Sequence, residues 1–167
     1  FLLVANHKSN FDSMVLTANF ANRDIAYLMK QENKKIPLGG RLMHKCCYIP
    51  LDRADKLQSL KQMKKAQSLI ERDVASIGVF PEGTRTKDGV VLGPFHEGVF
   101  NIAIKAKCPI VVVTFKNTPL IHKNFPFHST TVIVNIIGKI PYEDFQDKPA
   151  KQLSDEIHEM MLEDLSK

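Results

Sequence analysis

Blocks of apolar and polar residues alternate along the chain and set out an order of strands and helices. Phe1 to Ala5 is a continuous apolar run, the pattern of a strand buried on both faces. Polar Asn6 to Asn10 follow, and Met14, Val15, Ala18 and Phe20 then predict a helix over about Phe11 to Ala21. Ala26 to Met29 reads as a second strand, Gln31 to Lys35 as a polar loop, and Pro37 to Cys47 as a stretch that can be helical despite Gly39-Gly40. Tyr48 to Leu51 is a third strand. Ala54 to Asp73 is the longest expected helix, with Leu57, Leu60, Met63, Leu69 and Ile70 along one side. Lys56, Lys61, Lys64 and Lys65 lie largely elsewhere on it, a face suited to solvent or to a membrane surface. Ser76 to Phe80 forms a fourth strand stopped by Pro81, and Phe95 to Lys107 a helix. Ile110 to Phe115 and Thr131 to Ile137 are the fifth and sixth strands. The last helix, Ala150 to Leu165, turns Leu153, Ile157, Met160, Met161 and Leu165 inward.

Strands that alternate with helices predict an α/β fold. A single domain over residues 1–167 is expected, layered, with a mixed, largely parallel β-sheet flanked by helices. In such sheets ligands gather at loops beyond strand ends. Three loops here qualify: Asn6 to Asp12, Leu51 to Arg53 and Pro81 to Thr86. At 167 residues and 44% apolar content the chain can bury a continuous core, and disorder is excluded. No apolar run approaches the roughly 18 residues of a membrane span. Phe1 stands inside a core element without any lead-in, so a segment upstream is expected. Three cysteines cannot all pair, and none has metal-ligand spacing, so reduced thiols are expected.

Charge narrows the field of partners. Residues 143–167 carry 8 acidic and 3 basic side chains, which leaves 20 basic and 10 acidic ones before them. A body of net +10 attracts anionic company: an anionic membrane surface, phosphorylated substrates or an acidic carrier protein. Nucleic acid is not an expected partner, because zinc-finger spacing, aromatic-rich basic strands and a recognition helix are all missing from the sequence.

Chemistry concentrates in the strand-end loops. His7 in Asn6-His7-Lys8-Ser9-Asn10-Phe11-Asp12 has the side chain best suited to proton transfer near neutral pH, and Asp12 is placed to pin one imidazole nitrogen. With Ser9 as N-cap, Asp12 falls on the first helical turn within reach of the loop histidine. Ser9-x-x-Asp12 equally resembles a capping box, which explains Asp12 without catalysis. In Phe80-Pro81-Glu82-Gly83-Thr84-Arg85, Gly83 frees the backbone and Arg85 offers a planar fork for phosphate or carboxylate. A local Glu82–Arg85 pair is the plainer alternative. Gly78 and Gly83 have the spacing of P-loop glycines, but Thr84-Arg85 stands where Lys-Ser/Thr is needed. Arg53 follows a strand and can clamp phosphate or pair with Asp52 or Asp55. A hydrolase triad fails for want of a G-x-S-x-G elbow. Metal binding fails because His44, His96, His122, His128 and His158 lack ligand spacing.

Together, Asn6-His7-x-x-x-x-Asp12, Arg53 at a strand end and Phe80-Pro81-Glu82-Gly83-Thr84-Arg85, in that order, resemble the lysophospholipid acyltransferase family. The similarity extends through Phe95-x-x-Gly98-x-Phe100-x-x-Ala103 and Pro109-Ile110-Val111-x-Val113, about two thirds of the chain. The second motif departs from the family, with Cys47 for a glycine and Pro50 for a phenylalanine, and Val112 replaces a proline of the fourth. The resemblance implies a glycerolipid acyltransferase-like fold and transfer of an acyl chain from acyl-CoA or acyl carrier protein to the sn-2 hydroxyl of lysophosphatidate. Glycerol 3-phosphate or another lysophospholipid is the alternative acceptor, and a non-catalytic lipid-binding module of the same fold the alternative class. His7 would be the general base and Asp12 its orienting partner. Arg53, Glu82, Gly83, Thr84 and Arg85 would hold the acceptor's phosphate, with Lys30 near the developing oxyanion. No metal or cofactor beyond the acyl donor is implied, and the expected location is the cytoplasmic face of a membrane.

Overall fold

The computed structural model describes residues 1–31, 48–52, 54–87 and 89–167. Among these, six strands form one sheet: β1 (Leu2–Ala5), β2 (Ile25–Lys30), β3 (Ile49–Leu51), β4 (Ser76–Val79), β5 (Ile110–Lys116) and β6 (Ile133–Ile140). Their spatial order is β3-β2-β4-β1-β5-β6. All neighbours are parallel except β5 and β6. Five helices join them: α1 (Asp12–Asn19), α2 (Lys56–Glu71), α3 (Asn101–Ala106), α4 (Thr118–Asn124) and α5 (Ala150–Leu165). The expected mixed, largely parallel sheet flanked by helices is what forms.

Alternation along β1 divides the core into two layers. Leu2 and Val4 join Ile77, Val79, Ile110 and Val112 on the face covered by α2, α3 and α5, which contribute Ala66, Ile102, Ala103, Leu153, Ile157 and Met161. Leu3 and Ala5 join Tyr27, Val113 and Phe115 on the other face, beneath Leu16 and Phe20 at α1. The chain therefore leaves β1 toward one face, into α1, and leaves β4 toward the opposite face. Between two adjacent parallel strands whose exits diverge, a crevice opens at their carboxyl ends. This geometry places the residues after Ala5 beside those after Val79.

Several boundaries differ from the sequence expectation. Phe95 to Lys107 is not one helix: Glu97–Phe100 forms a 3₁₀ turn and only Asn101–Ala106 is α-helical. β6 continues past Gly138 to Ile140, because Gly138 serves the packing of α5 rather than a turn; a Cβ there would lie 3.2 Å from Met160 Sδ. Met160 itself stays at the surface while Met161 is buried. α4 was not anticipated as a helix. Tyr142–Asp144 adds a second 3₁₀ turn. The stretch Pro37 to Cys47, including the Cys46-Cys47 pair, lies outside the described residues, as do most of the Gln31 to Lys35 loop and Arg53. No helix among the described residues is long and apolar enough to cross a membrane.

Candidate active site

The loop between β1 and α1 is held by its own acid. Asp12 is fully buried, and its Oδ2 accepts hydrogen bonds from Lys8 N at 2.7 Å and Ser9 N at 2.8 Å. The same oxygen lies 2.8 Å from His7 Nδ1. A carboxylate oxygen can only accept, so Nδ1 carries the hydrogen and Nε2 keeps its lone pair. Asp12 thus does two jobs: it closes the loop at two backbone amides and fixes the imidazole's tautomer and plane. The capping arrangement differs from the one expected from sequence. Phe11, not Ser9, occupies the N-cap position, and Asp12 is the first helical residue. Ser9 Oγ accepts from Phe11 N at 3.2 Å, so its hydroxyl is spent within the turn.

A second buried acid holds the loop from the other side. Glu82, after β4, accepts His7 N on Oε1 at 2.7 Å. Its Oε2 accepts Gly93 N at 2.9 Å and the Thr86 hydroxyl. Thr86 N in turn donates to His7 O at 2.8 Å, so both backbone polar groups of His7 are bonded across the crevice. Gly93 is required here, since a Cβ would sit 2.9 Å from Glu82 Oε2. From α5, the His158 imidazole Nε2 meets Gly93 O at 3.1 Å, bracing that segment in turn. Glu82 was expected to hold phosphate. Its carboxylate is turned into the protein with both oxygens engaged, a placement that suits a brace for the loop.

Aromatic packing sets the remaining orientation. The His7 ring stacks on Phe80 with centroids 4.5 Å apart and planes 21° off parallel. Phe80 continues to Tyr27 at 6.2 Å, and Tyr27 to Tyr48 at 5.3 Å. Tyr27 lies over Gly78, where a Cβ would come within 2.4 Å of its ring. Gly78 therefore serves this stack, which explains the glycine without phosphate. Burial pushes the Tyr27 phenol well above its ordinary range, and its hydroxyl is bonded to Thr17.

His7 forms part of the wall of an open cleft of about 1630 Å³. Gly83, Thr84 and Arg85 line it beyond β4, and Lys30 lines it at the end of β2. Gly83 has φ of +66°, the left-handed conformation that turns this loop toward the cleft. Of the residues singled out from sequence, the structure thus brings His7, Lys30, Gly83, Thr84 and Arg85 to one cavity. It sets Asp12 and Glu82 behind the cavity wall as supports. The alternative of a local Glu82–Arg85 pair does not appear among the ion pairs of the described residues. Sequence reasoning missed Thr86 and Gly93; only their closeness in sequence to Glu82 hints at them. A smaller recess of about 340 Å³ adjoins the cleft, sharing Lys8, Thr86 and Lys87 with it and reaching Lys116 and Leu120.

Comparison with known proteins gives the family and the fold. The pattern of the Acyltransferase family matches residues 1–116. A chloroplastic 1-acyl-sn-glycerol-3-phosphate acyltransferase of Brassica napus is 36% identical over 69% of this chain and 32% of its own length. The 1-acyl-sn-glycerol-3-phosphate acyltransferase of Saccharomyces cerevisiae is 26% identical over 99% of this chain and 55% of its own. The chain therefore spans between about a third and somewhat over half of these relatives. Among solved structures, the 1-acyl-sn-glycerophosphate acyltransferase PlsC of Thermotoga maritima superposes with a TM-score of 0.74 at 23% identity. That superposition covers 99% of this chain and 65% of the other, a likeness of fold.

Proposed function

The chain belongs to the Acyltransferase family, and on that premise we propose that it catalyses acyl transfer to the sn-2 hydroxyl of lysophosphatidate, giving phosphatidate. The observation that carries this reading is the His7–Asp12 pair, 2.8 Å apart, with the imidazole on the wall of a cleft rimmed by Lys30 and Arg85.

In the proposed reaction His7 Nε2 takes the proton of the acceptor hydroxyl as its oxygen attacks the thioester carbonyl of acyl-CoA or acyl carrier protein. Asp12 stabilises the imidazolium that forms. The tetrahedral intermediate then expels the thiolate, which recovers the proton from His7, and no acyl-enzyme is formed. Lys30 supplies positive charge near the developing oxyanion, a kind of contribution worth about 3 kcal/mol where a preorganised donor is used. Arg85, with the Gly83-Thr84 backbone, holds the acceptor's phosphate, and Arg53 is the second clamp that the family resemblance assigns. Glu82 acts one step removed, by fixing the His7 backbone. The substrate is a lipid and the body is basic, so the reaction is placed at the cytoplasmic face of an anionic membrane.

The test is direct. The chain is incubated with lysophosphatidate and labelled acyl-CoA or acyl carrier protein, and phosphatidate is quantified. Turnover that His7→Ala abolishes, with the fold retained by circular dichroism, supports the reading. Equal turnover in wild type and His7→Ala, or none by wild type with either donor, overturns it.

A further inference from the structure

One region outside the cleft is built inside out. After β5 the chain forms α4 and a loop, Phe125 to Thr131, that returns to β6. Polar side chains in this segment point into it and hold it together. Asn124 Nδ2 donates to Thr130 Oγ1 at 2.9 Å, Thr130 Oγ1 to Leu120 O at 3.4 Å, and Asn117 Nδ2 to Thr131 O at 3.4 Å. The apolar side chains point outward instead: Phe125 is 73% exposed and Phe127 87%. Leu120 and, on the edge strand β6, Ile133 and Ile136 are exposed as well. Two phenylalanines presented to water by a self-bonded loop are not core residues, and two rings so close in sequence are unusual on a free surface.

The stretch of sequence that carries them is one-sided in charge. Residues 98–142 contain no aspartate or glutamate, and they contain Lys105, Lys107, Lys116, Lys123 and Lys139. Lys123 stands two residues before Phe125, and Lys116 closes β5 just before α4. Aromatic rings flanked by lysines match the boundary between headgroups and acyl chains of an anionic bilayer, and the nearest acid on another element, Asp164 at the end of α5, is engaged by Thr114 and Asn135. An acidic protein would satisfy the lysines but not two solvent-facing phenylalanines.

The segment is also continuous with the catalytic end of the sheet. Leu120 and Lys116 line the same 340 Å³ recess as Lys8, the residue after His7. We propose that α4 and the Phe125–Phe127 loop form the membrane-docking surface of this domain, with both rings inserted at the interface of an anionic bilayer and Lys116 and Lys123 against its headgroups. Docking there puts the mouth of the site at the layer where a lysophospholipid resides. The inference rests on the proposed function for its purpose, but its test requires no turnover.

The chain contains no tryptophan, so a single introduced indole reports alone. Phe127→Trp is mixed with vesicles of phosphatidylcholine and phosphatidylglycerol at 3:1, and its emission is expected to shift to the blue. Leu57→Trp, on the competing basic helix α2 where Leu57 is 78% exposed, is expected to show no shift. In sedimentation with the same vesicles, the double variant Phe125→Ser, Phe127→Ser should lose at least about tenfold in partitioning. Lys123→Gln should lose about fivefold at low salt. Both phenylalanines are solvent-facing, so their replacement leaves the fold unchanged by circular dichroism. The proposal is overturned if Phe127→Trp emission does not move, if Leu57→Trp shifts instead, or if the serine variant binds vesicles like wild type. It is equally overturned if purified acyl carrier protein, without lipid, gives the shift. Turnover lost in His7→Ala with vesicle binding intact bears on the reaction alone.

Discussion

Two sets of charged residues meet at the cleft, and they are built in opposite ways. Asp12 and Glu82 are buried, and between them they accept six hydrogen bonds, two of them from His7. Lys30 and Arg85 are exposed on the rim of the same cavity. The difference follows from what the proposed reaction asks of each set. A proton-transferring nitrogen must be held to a fraction of an ångström, which demands short bonds in a place that excludes water. A cation that captures a phosphate from solution, the role proposed for Arg85, must stay solvated and adjustable until it arrives, and its field acts over a Debye length of about 10 Å. Substitutions on the buried side should therefore lower turnover, and substitution of the phosphate-holding Arg85 on the rim should raise the Michaelis constant.

The sharpest break in the comparison comes at His7. His7→Ala removes the base and is expected to lower kcat at least about a thousandfold, with a smaller change in KM for lysophosphatidate. Asp12→Asn comes next, at about a hundredfold to a thousandfold in kcat. Its amide oxygen can still accept the Lys8 and Ser9 amides, so the loop survives, but the charge that stabilises an imidazolium is gone. If Asp12→Asn unfolds the chain without a separate effect on kcat, the acid is only a loop brace.

Glu82→Gln probes support at one remove. An amide offers a single oxygen where the carboxylate offers two, so either the His7 or the Gly93 amide loses its acceptor. A buried unsatisfied N–H costs about 1–3 kcal/mol, a fall of several degrees in Tm. Activity should fall in kcat with KM unchanged, because the base shifts while the rim does not. A change in KM alone would return Glu82 to the phosphate-binding set where its motif first put it.

The bonding of Glu82 shows where the sequence stops being informative. The order of strands and helices was legible because burial imposes a period: β1 is apolar throughout, and α5 begins and ends where its stripe predicted, at Ala150 and Leu165. His7 and Asp12 were legible because their spacing and their chemistry coincide. Glu82 was not, because a carboxylate beside an arginine reads as a polar surface loop. Nothing local reveals that it bonds to residue 7, which is 75 positions away. The end of β6 was not legible for a related reason: nothing local shows that Gly138 makes room for Met160 inside a continuing strand. The 3₁₀ turn at Glu97–Phe100 escaped because a single turn of four residues is too short for its apolar pattern to tell a 3₁₀ from an α-helical period. α4 escaped because it is short and turns little inward. Its one signal was Pro119, well placed in a first turn.

On the rim, Arg85→Ala should raise KM for lysophosphatidate about tenfold to a hundredfold, the worth of a charge-assisted bond to phosphate, with kcat within a few fold of wild type. Added salt should weaken wild type toward the variant, because an exposed cation is screened. A variant whose kcat collapses while KM holds would mean that the arginine acts in the transition state instead, and the division between wall and rim would fail.

The smallest effect lies away from the cleft and isolates what wiring an acid contributes when no chemistry depends on it. Asp164, in the last turn of α5, accepts the buried Thr114 hydroxyl at 2.6 Å and Asn135 Nδ2 at 3.3 Å. These bonds, the Thr114 bond first, hold its carboxyl below the ordinary range. A carboxyl depressed in the folded state adds stability that is present above its unfolded value and lost as pH falls through the folded one. Asp164 is partly solvated, so the contribution is less than about 1 kcal/mol. Urea unfolding of Asp164→Asn should match wild type in acid and fall slightly below it near neutrality, with kcat unchanged at every pH. Equal stability of the two proteins at neutral pH would mean that the Thr114 and Asn135 bonds only hold α5 in place. A fall in kcat would mean that α5 reaches the base through more than the His158–Gly93–Glu82 contacts, and the line between supporting acids and remote ones would have to be redrawn.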